Sequence, residues 1–316
     1  MRPTILCLFG PDKKARGQLE SLYRVIGPYK DPVAEIPAAD AAEVRAIITT
    51  GGIGAKKAIL DRLPNLQLVC AYGAGYEGVD LAELKRRGIR LTNAQGGNAP
   101  CVADMAMALL LAISLRLIPA DRLVRDGKWD AVPPSGWPAS PGFGGKRLGI
   151  VGLGEIGFRI AKRAQPFDLD IAYHNRTKRG DVGYRYFSDL RTMAEWSDYL
   201  IIACPLNDST RHSVNATVLK ALGPSGYLVN IGRGGVIDQP ALIAALKAGT
   251  IAGAGLDVLD GEPKVPPELA ALPNVVLTPH IAAMTVRSVD TLNRLVLENL
   301  AALFENRALV TPVRVD

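Results

Sequence analysis

Three residues with distinctive chemistry stand just beyond short apolar runs in the second half of the chain. Arg233 comes after Leu228-Val229-Asn230-Ile231-Gly232, Glu262 after Ala254-Gly255-Leu256-Asp257-Val258, and His280 after Val276-Leu277-Thr278-Pro279. In an open α/β sheet the carboxyl ends of the strands border the ligand crevice, so residues there are placed for reaction chemistry. Reducing a 2-keto acid needs a cation to hold the carboxylate and polarise the ketone. It also needs a proton donor near neutral pH, and a carboxylate to orient that donor and raise its pKa. Arg233, His280 and Glu262 meet these needs in that order. Taken singly, Arg233 reads as a structural ion pair and Glu262, before Pro263, as a turn residue; the three in order point to catalysis. His174 and His212 have no such company and read as a structural and a surface residue.

The segment Gly152-Leu153-Gly154-Glu155-Ile156-Gly157 follows the strand pattern Leu148–Val151 and precedes a helical pattern from Phe158 to Gln165. Glycine at the three places allows a tight turn, close backbone approach to a pyrophosphate and close helix–strand packing, and the helix N-terminus supplies N–H groups to the phosphates. With 32 glycines in the chain a bare match means little; its position between strand and helix makes it a dinucleotide loop. The next strand pattern, Asp170–His174, ends at Asn175, where an NAD enzyme usually carries Asp or Glu for the ribose 2′-hydroxyl. Arg176, Thr177, Lys178 and Arg179 follow, offering charge and a hydroxyl to a 2′-phosphate. NADP(H) is therefore expected over NAD(H).

These residues need parallel sheets to hold them, and apolar runs do alternate with helical patterns along the chain. Strands are expected at Ile5–Phe9, Ala46–Thr50, Leu66–Tyr72 and Ile89–Thr92, then at Leu148–Val151, Asp170–His174, Tyr199–Ala203, Leu228–Ile231, Gly253–Val258 and Val275–Leu277. Two long helical patterns, about Pro100 to Leu117 (with Asn98 as a cap) and about Val286 to Phe304, read as joints between domains. The expected division is 1–98 with 286–316 as a substrate-binding domain and 99–285 as the dinucleotide-binding domain. Within 99–285 lies a Pro/Gly-rich arm, 130–145, that carries Trp137 and should be irregular.

Composition bounds the partners. Hydrophobic residues make up 48% and charged residues 22%, a globular balance. The longest apolar run, Met105 to Leu115, ends at Arg116, well short of the ~20 residues a membrane helix needs. The first ten residues read as a strand rather than a signal peptide. Cys7, Cys70, Cys101 and Cys204 show no metal or dithiol spacing, and the net charge of +6 is dispersed in short groups. A cytoplasmic protein without metal, nucleic-acid or membrane partners is expected.

At these motifs the sequence resembles the D-2-hydroxyacid dehydrogenase family. The likeness runs through Tyr72-Gly73-Ala74-Gly75, Val79-Asp80-Leu81, Val102-Ala103-Asp104, Gly152–Gly157, Asn230-Ile231-Gly232-Arg233-Gly234, Gly255–Val258, Glu262-Pro263 and Thr278-Pro279-His280. Within the family, His174–Lys178 is similar to the branch of NADPH-linked glyoxylate/hydroxypyruvate and hydroxyphenylpyruvate reductases. The resemblance implies a Rossmann-type cofactor domain inserted in a flavodoxin-like substrate domain, a homodimer, and reduction of small 2-keto acids by hydride transfer with His280 as general acid. It assigns Arg233 to the substrate carboxylate and keto oxygen, Glu262 to His280, Asp257 to the nicotinamide end, and the N–H groups of Ala74 and Gly75 to the substrate carboxylate. Cys204, Pro205 and Ile231 would border the cofactor, with Cys204 a small filler, and Tyr72 would line the substrate. Gln239 departs from the family pattern, which often has Glu there, and Ala282 and Ala283 stand where Gly or Ser is frequent. Phosphoglycerate, D-lactate and hydroxyphenylpyruvate dehydrogenases remain alternatives, as does a non-catalytic dinucleotide sensor.

Overall fold

The structure is a computed structural model, describing residues 2–315, and the chain divides into two compact units: one from the first 98 residues with Thr285 onward, the other Ala99–Met284.

In the first unit, β1 (Thr4–Cys7), β2 (Arg24–Ile26), β3 (Val44–Thr49), β4 (Leu68–Ala71) and β5 (Arg90–Asn93) form a parallel sheet in the order β5-β4-β3-β1-β2. That is the flavodoxin-like order. A short strand, Pro312–Val313, closes the β5 edge antiparallel. Because side chains alternate across a strand, the apolar runs feed two cores. Leu6, Ile47, Val69 and Leu91 pack on one face. Ile5, Ile48, Leu68 and Cys70 pack on the other with Val296, Leu300 and Leu303 of the helix Val286–Phe304. Thr285 starts that helix by accepting a hydrogen bond from Ser288 N.

The second unit has seven strands, β6 (Arg147–Val151), β7 (Asp170–His174), β8 (Arg185–Phe187), β9 (Tyr199–Ile202), β10 (Tyr227–Asn230), β11 (Gly253–Leu256) and β12 (Val275–Leu277), ordered β12-β11-β10-β9-β6-β7-β8 and all parallel. The order reverses beside β6, as in the Rossmann fold, so the loop after β6 sits at the switch point. Ile150, Tyr173, Ile201 and Val229 pack against the helices Ala99–Ser114 and Glu155–Ala164. Leu200, Ile202, Leu228 and Leu256 face the other layer of helices.

The expected strands are present with their ends shifted by up to two residues, and β2, β8 and Pro312–Val313 are additional. The expected cap Asn98 is a correction: its Oδ1 is buried and makes no hydrogen bond, so it does not cap the helix Ala99–Ser114. Residues 130–145 carry no helix or strand. Among the described residues no single helix is long and apolar enough to cross a membrane, and no group of His, Cys, Asp and Glu could hold a metal.

Candidate active site

The turn between β6 and the helix Glu155–Ala164 accepts only glycine at two points. Gly152 has φ +97°, and a Cβ there would lie 2.7 Å from Cys204 N; a Cβ at Gly157 would lie 2.1 Å from Gly152 O. A Cβ at Gly154, by contrast, would meet nothing within 4 Å, and the helix has no side-chain cap. Its first N–H groups therefore stay available to an anion beside open space, which fits a dinucleotide pyrophosphate. Cys204 packs behind the turn, and burial pushes its thiol up to about 11, so it is a filler and not a thiolate at neutral pH.

At the end of β7, Asn175 Oδ1 accepts from Leu153 N at 2.7 Å and ties the strand end to the glycine turn. Arg179 grips the same residue from its other side, donating to Leu153 O at 2.8 Å. Its guanidinium also lies over the Phe158 ring and pairs with Asp181. Arg179 is thus committed to the scaffold, whereas Arg176, Thr177 and Lys178 are exposed. His174 is structural, its Nδ1 lying 2.9 Å from Phe187 O.

Past β10, Asn230 closes a tight turn: its Oδ1 accepts from Gly232 N at 3.0 Å and its amide donates to Arg233 O at 3.0 Å. The turn presents a half-buried Arg233, whose Nη1 also donates to Gly232 O. Past β12 the backbone turns back at His280, which has φ +54°. Buried Asp257 latches this turn, Oδ1 accepting from Thr278 Oγ1 at 2.7 Å and Ile281 N at 2.9 Å, and Oδ2 from Ala282 N at 3.1 Å. Its carboxylate thus holds the histidine turn in place. Sequence reading missed this latch, because backbone N–H groups carry no residue signature.

His280 Nδ1 and Glu262 Oε2 are 2.7 Å apart, and Glu262 Oε1 accepts from Leu259 N at 2.7 Å. With the carboxylate accepting, Nδ1 carries the hydrogen and Nε2 is left for proton exchange. The Glu262 hydrogen bond, aided by the charges of Glu262 and Asp257, holds the His280 pKa above its ordinary value despite burial and the Arg233 charge. For Glu262 burial pushes upward, but the bonds from His280 and Leu259 N and the charges of His280 and Arg233 outweigh it, and the net shift is down.

In the first unit, Gly73 has φ +116°, and the turn after β4 is fastened by Ala94 N to Gly73 O at 2.7 Å and Asn93 Nδ2 to Ala74 O at 2.8 Å. The N–H groups of Ala74 and Gly75 have no acceptor among the described residues. Two adjacent N–H groups left open in such a turn are able to cradle an anion. Tyr72 begins this turn: its hydroxyl donates to Asn293 Oδ1 at 2.9 Å, its ring packs on Phe9, and burial raises its pKa to about 12. The ring packs, partly buried, against the first unit's core.

A dinucleotide loop at a Rossmann switch point, with Arg233 and a Glu262–His280 pair in the same unit, defines an oxidoreductase that moves a hydride and a proton together. Residues 107–282 match the model of the D-isomer specific 2-hydroxyacid dehydrogenase NAD binding domain. The chain belongs to the D-isomer-specific 2-hydroxyacid dehydrogenase family. It is 39% identical to a hydroxyphenylpyruvate reductase of Plectranthus scutellarioides over 94% of each chain, and 43% identical to a glyoxylate/hydroxypyruvate reductase of Arabidopsis thaliana over 85% of each. Among solved structures it is similar to an NADPH-dependent glyoxylate/hydroxypyruvate reductase from Sinorhizobium meliloti, determined with NADP and malonate. That match has a TM-score of 0.92 and 39% identity, covering 100% of this chain and 98% of that one.

Proposed function

We propose that the protein reduces small 2-keto acids, glyoxylate and hydroxypyruvate foremost, with NADPH. The observation that carries the reading is the 2.7 Å contact of His280 with Glu262 in the unit that holds the glycine turn and exposed Arg176. When bound, NADPH supplies the hydride to the keto carbon. His280 gives its proton to the keto oxygen as the negative charge develops there, and Glu262 stabilises the imidazolium beforehand. Arg233 holds the carboxylate and polarises the ketone. The Ala74 and Gly75 N–H groups are assigned the carboxylate on the chemistry of their turn. For the cofactor, Gly152, Gly154, Glu155, Ile156 and Gly157 form the pyrophosphate turn. Cys204, Pro205 and Ile231 are assigned to its border, and Asn175, Arg176 and Thr177 to the adenosine end. Asn175 keeps a carboxylate away from the 2′-phosphate, and Arg176 binds it.

We further propose a homodimer in a reducing compartment, the cytoplasm. Four buried free cysteines suit such a compartment. An apolar groove of about 230 Å³, lined by Leu123, Val124, Trp129, Val132, Pro133 and Trp137, supports a second copy as its cover, since Val132 is 87% exposed and Leu117 59%.

A substrate panel with NADPH tests the reading. Glyoxylate and hydroxypyruvate should be turned over with higher kcat/KM than hydroxyphenylpyruvate or 3-phosphohydroxypyruvate. The Plectranthus relative motivates the second reading, and hydroxyphenylpyruvate leading the panel would establish it in place of the first.

A further inference from the structure

Gln239 lies outside the set of residues that touch the reaction, yet its side chain engages the loop that carries Glu262. It is the first residue of the helix Gln239–Lys247, half-buried, behind the capping residue Asp238. Its Oε1 accepts from Asp260 N at 3.0 Å and its Nε2 donates to Asp260 O at 3.3 Å. A primary amide satisfies a peptide unit in both senses; a carboxylate at this place would accept one bond and repel the carbonyl. On the other side the loop rests directly on Gly234, where a Cβ would lie 1.9 Å from Leu259 C and 2.2 Å from Asp260 N. Leu259 N, between these two anchors and Glu262, donates the 2.7 Å bond to Glu262 Oε1 that leaves Oε2 for His280.

We propose that Gln239 is a positioning residue for the proton-transfer pair: by clamping Asp260 it fixes the Leu259 N–H that orients Glu262 toward His280. The inference rests on the reading of Glu262 and His280 given above. Glu262, Arg233 and Asp257 act on the His280 charge, and His212 Nε2 stands 4.0 Å from Asp260 Oδ2 on the clamped loop. Losing the clamp lets Glu262 swing from His280, which lowers the His280 pKa without touching the dinucleotide turn.

The test is the pH profile of kcat for NADPH-dependent reduction in Gln239→Met, which keeps the volume and removes both bonds, with Gln239→Ala as the second variant should the first not fold. Reduction needs protonated His280, so its rate falls as pH rises through that pKa. In either variant this falling limb should move to lower pH, and kcat above neutrality should drop about three- to thirtyfold, since small misplacements of a reacting group are costly. The KM for NADPH should stay unchanged. Lost stability alone would lower the active fraction at every pH and leave the limb in place. Running both variants in a His212→Gln background removes the nearby imidazole from the profile. In a Glu262→Gln background the Gln239 substitution should shift nothing further. If Glu262→Gln moves the limb and the Gln239 variants do not, the clamp is refuted while the pair stands. If Glu262→Gln itself leaves the limb in place, the pair reading falls and the clamp with it.

Discussion

At the scale of single residues the site was legible where an uncommon side chain stands at a strand end. Arg233 and His280 follow β10 and β12, and Glu262 comes a short loop after β11. Their roles lead to a pH prediction with a definite sign. Glu262 holds the His280 pKa up, and its own pKa is held down, so reduction is fastest between the two. Glu262→Gln should move the falling limb of the reduction profile to lower pH, and the rising limb of the reverse oxidation with it. His280→Ala should cost about a hundredfold or more in kcat at neutral pH. Profiles that superimpose before and after the Gln substitution would dissolve the pairing. For cofactor choice, Arg176→Ala should weaken NADPH by about ten- to hundredfold and leave NADH nearly untouched; titration of both dinucleotides by fluorescence checks it. Arg179 shows what a sequence withholds. It belongs to the same basic run, but Leu153 O, Phe158 and Asp181 occupy it, and only coordinates separate the committed guanidinium from the exposed one. Asp257 and Gln239 were hidden for a similar reason, as they work on backbone groups distant in sequence.

At the scale of elements, buried parallel strands were readable because they are short, wholly apolar runs such as Tyr199–Ile202. The strands that escaped notice, Arg24–Ile26, Arg185–Phe187 and Pro312–Val313, lie at sheet edges and are only partly buried, so neither length nor periodicity sets them apart. The most demanding element is the junction of β6 with its helix. Gly157→Ala would put a methyl 2.1 Å from Gly152 O, forcing the helix off the strand. The expected result is loss of dinucleotide binding together with about 1–3 kcal/mol of stability. Calorimetric titration and chemical denaturation read the two effects. Tight NADPH binding in a fully stable variant would show that the close approach is not required.

At the scale of the whole molecule, the parallel sheets of both units follow from a sequence rich in alternating β and α patterns, and their strand orders are those the family resemblance implied, whereas assembly does not follow from the sequence. The arm 130–145 was recognisable as irregular from its prolines and glycines, and the structure adds an exposed apolar groove around Trp129, Val132 and Trp137. Light scattering should give a dimer. By its family resemblance the arm reaches across such a dimer to the partner's substrate pocket; on that reading Trp137→Ala, if it remains dimeric, should weaken small substrates and relatively favour bulkier ones such as phenylpyruvate. Unchanged ratios of kcat/KM across that series would leave Trp137 as packing alone. The central claim, an NADPH-linked reductase of small 2-keto acids, meets its most direct test in one steady-state comparison: hydroxypyruvate reduction followed as NADPH or NADH disappears, under identical conditions. The account predicts turnover with both cofactors and a kcat/KM at least about tenfold higher with NADPH, the scale of one charge-assisted contact. Equal or better performance with NADH, or no turnover with either, would contradict it.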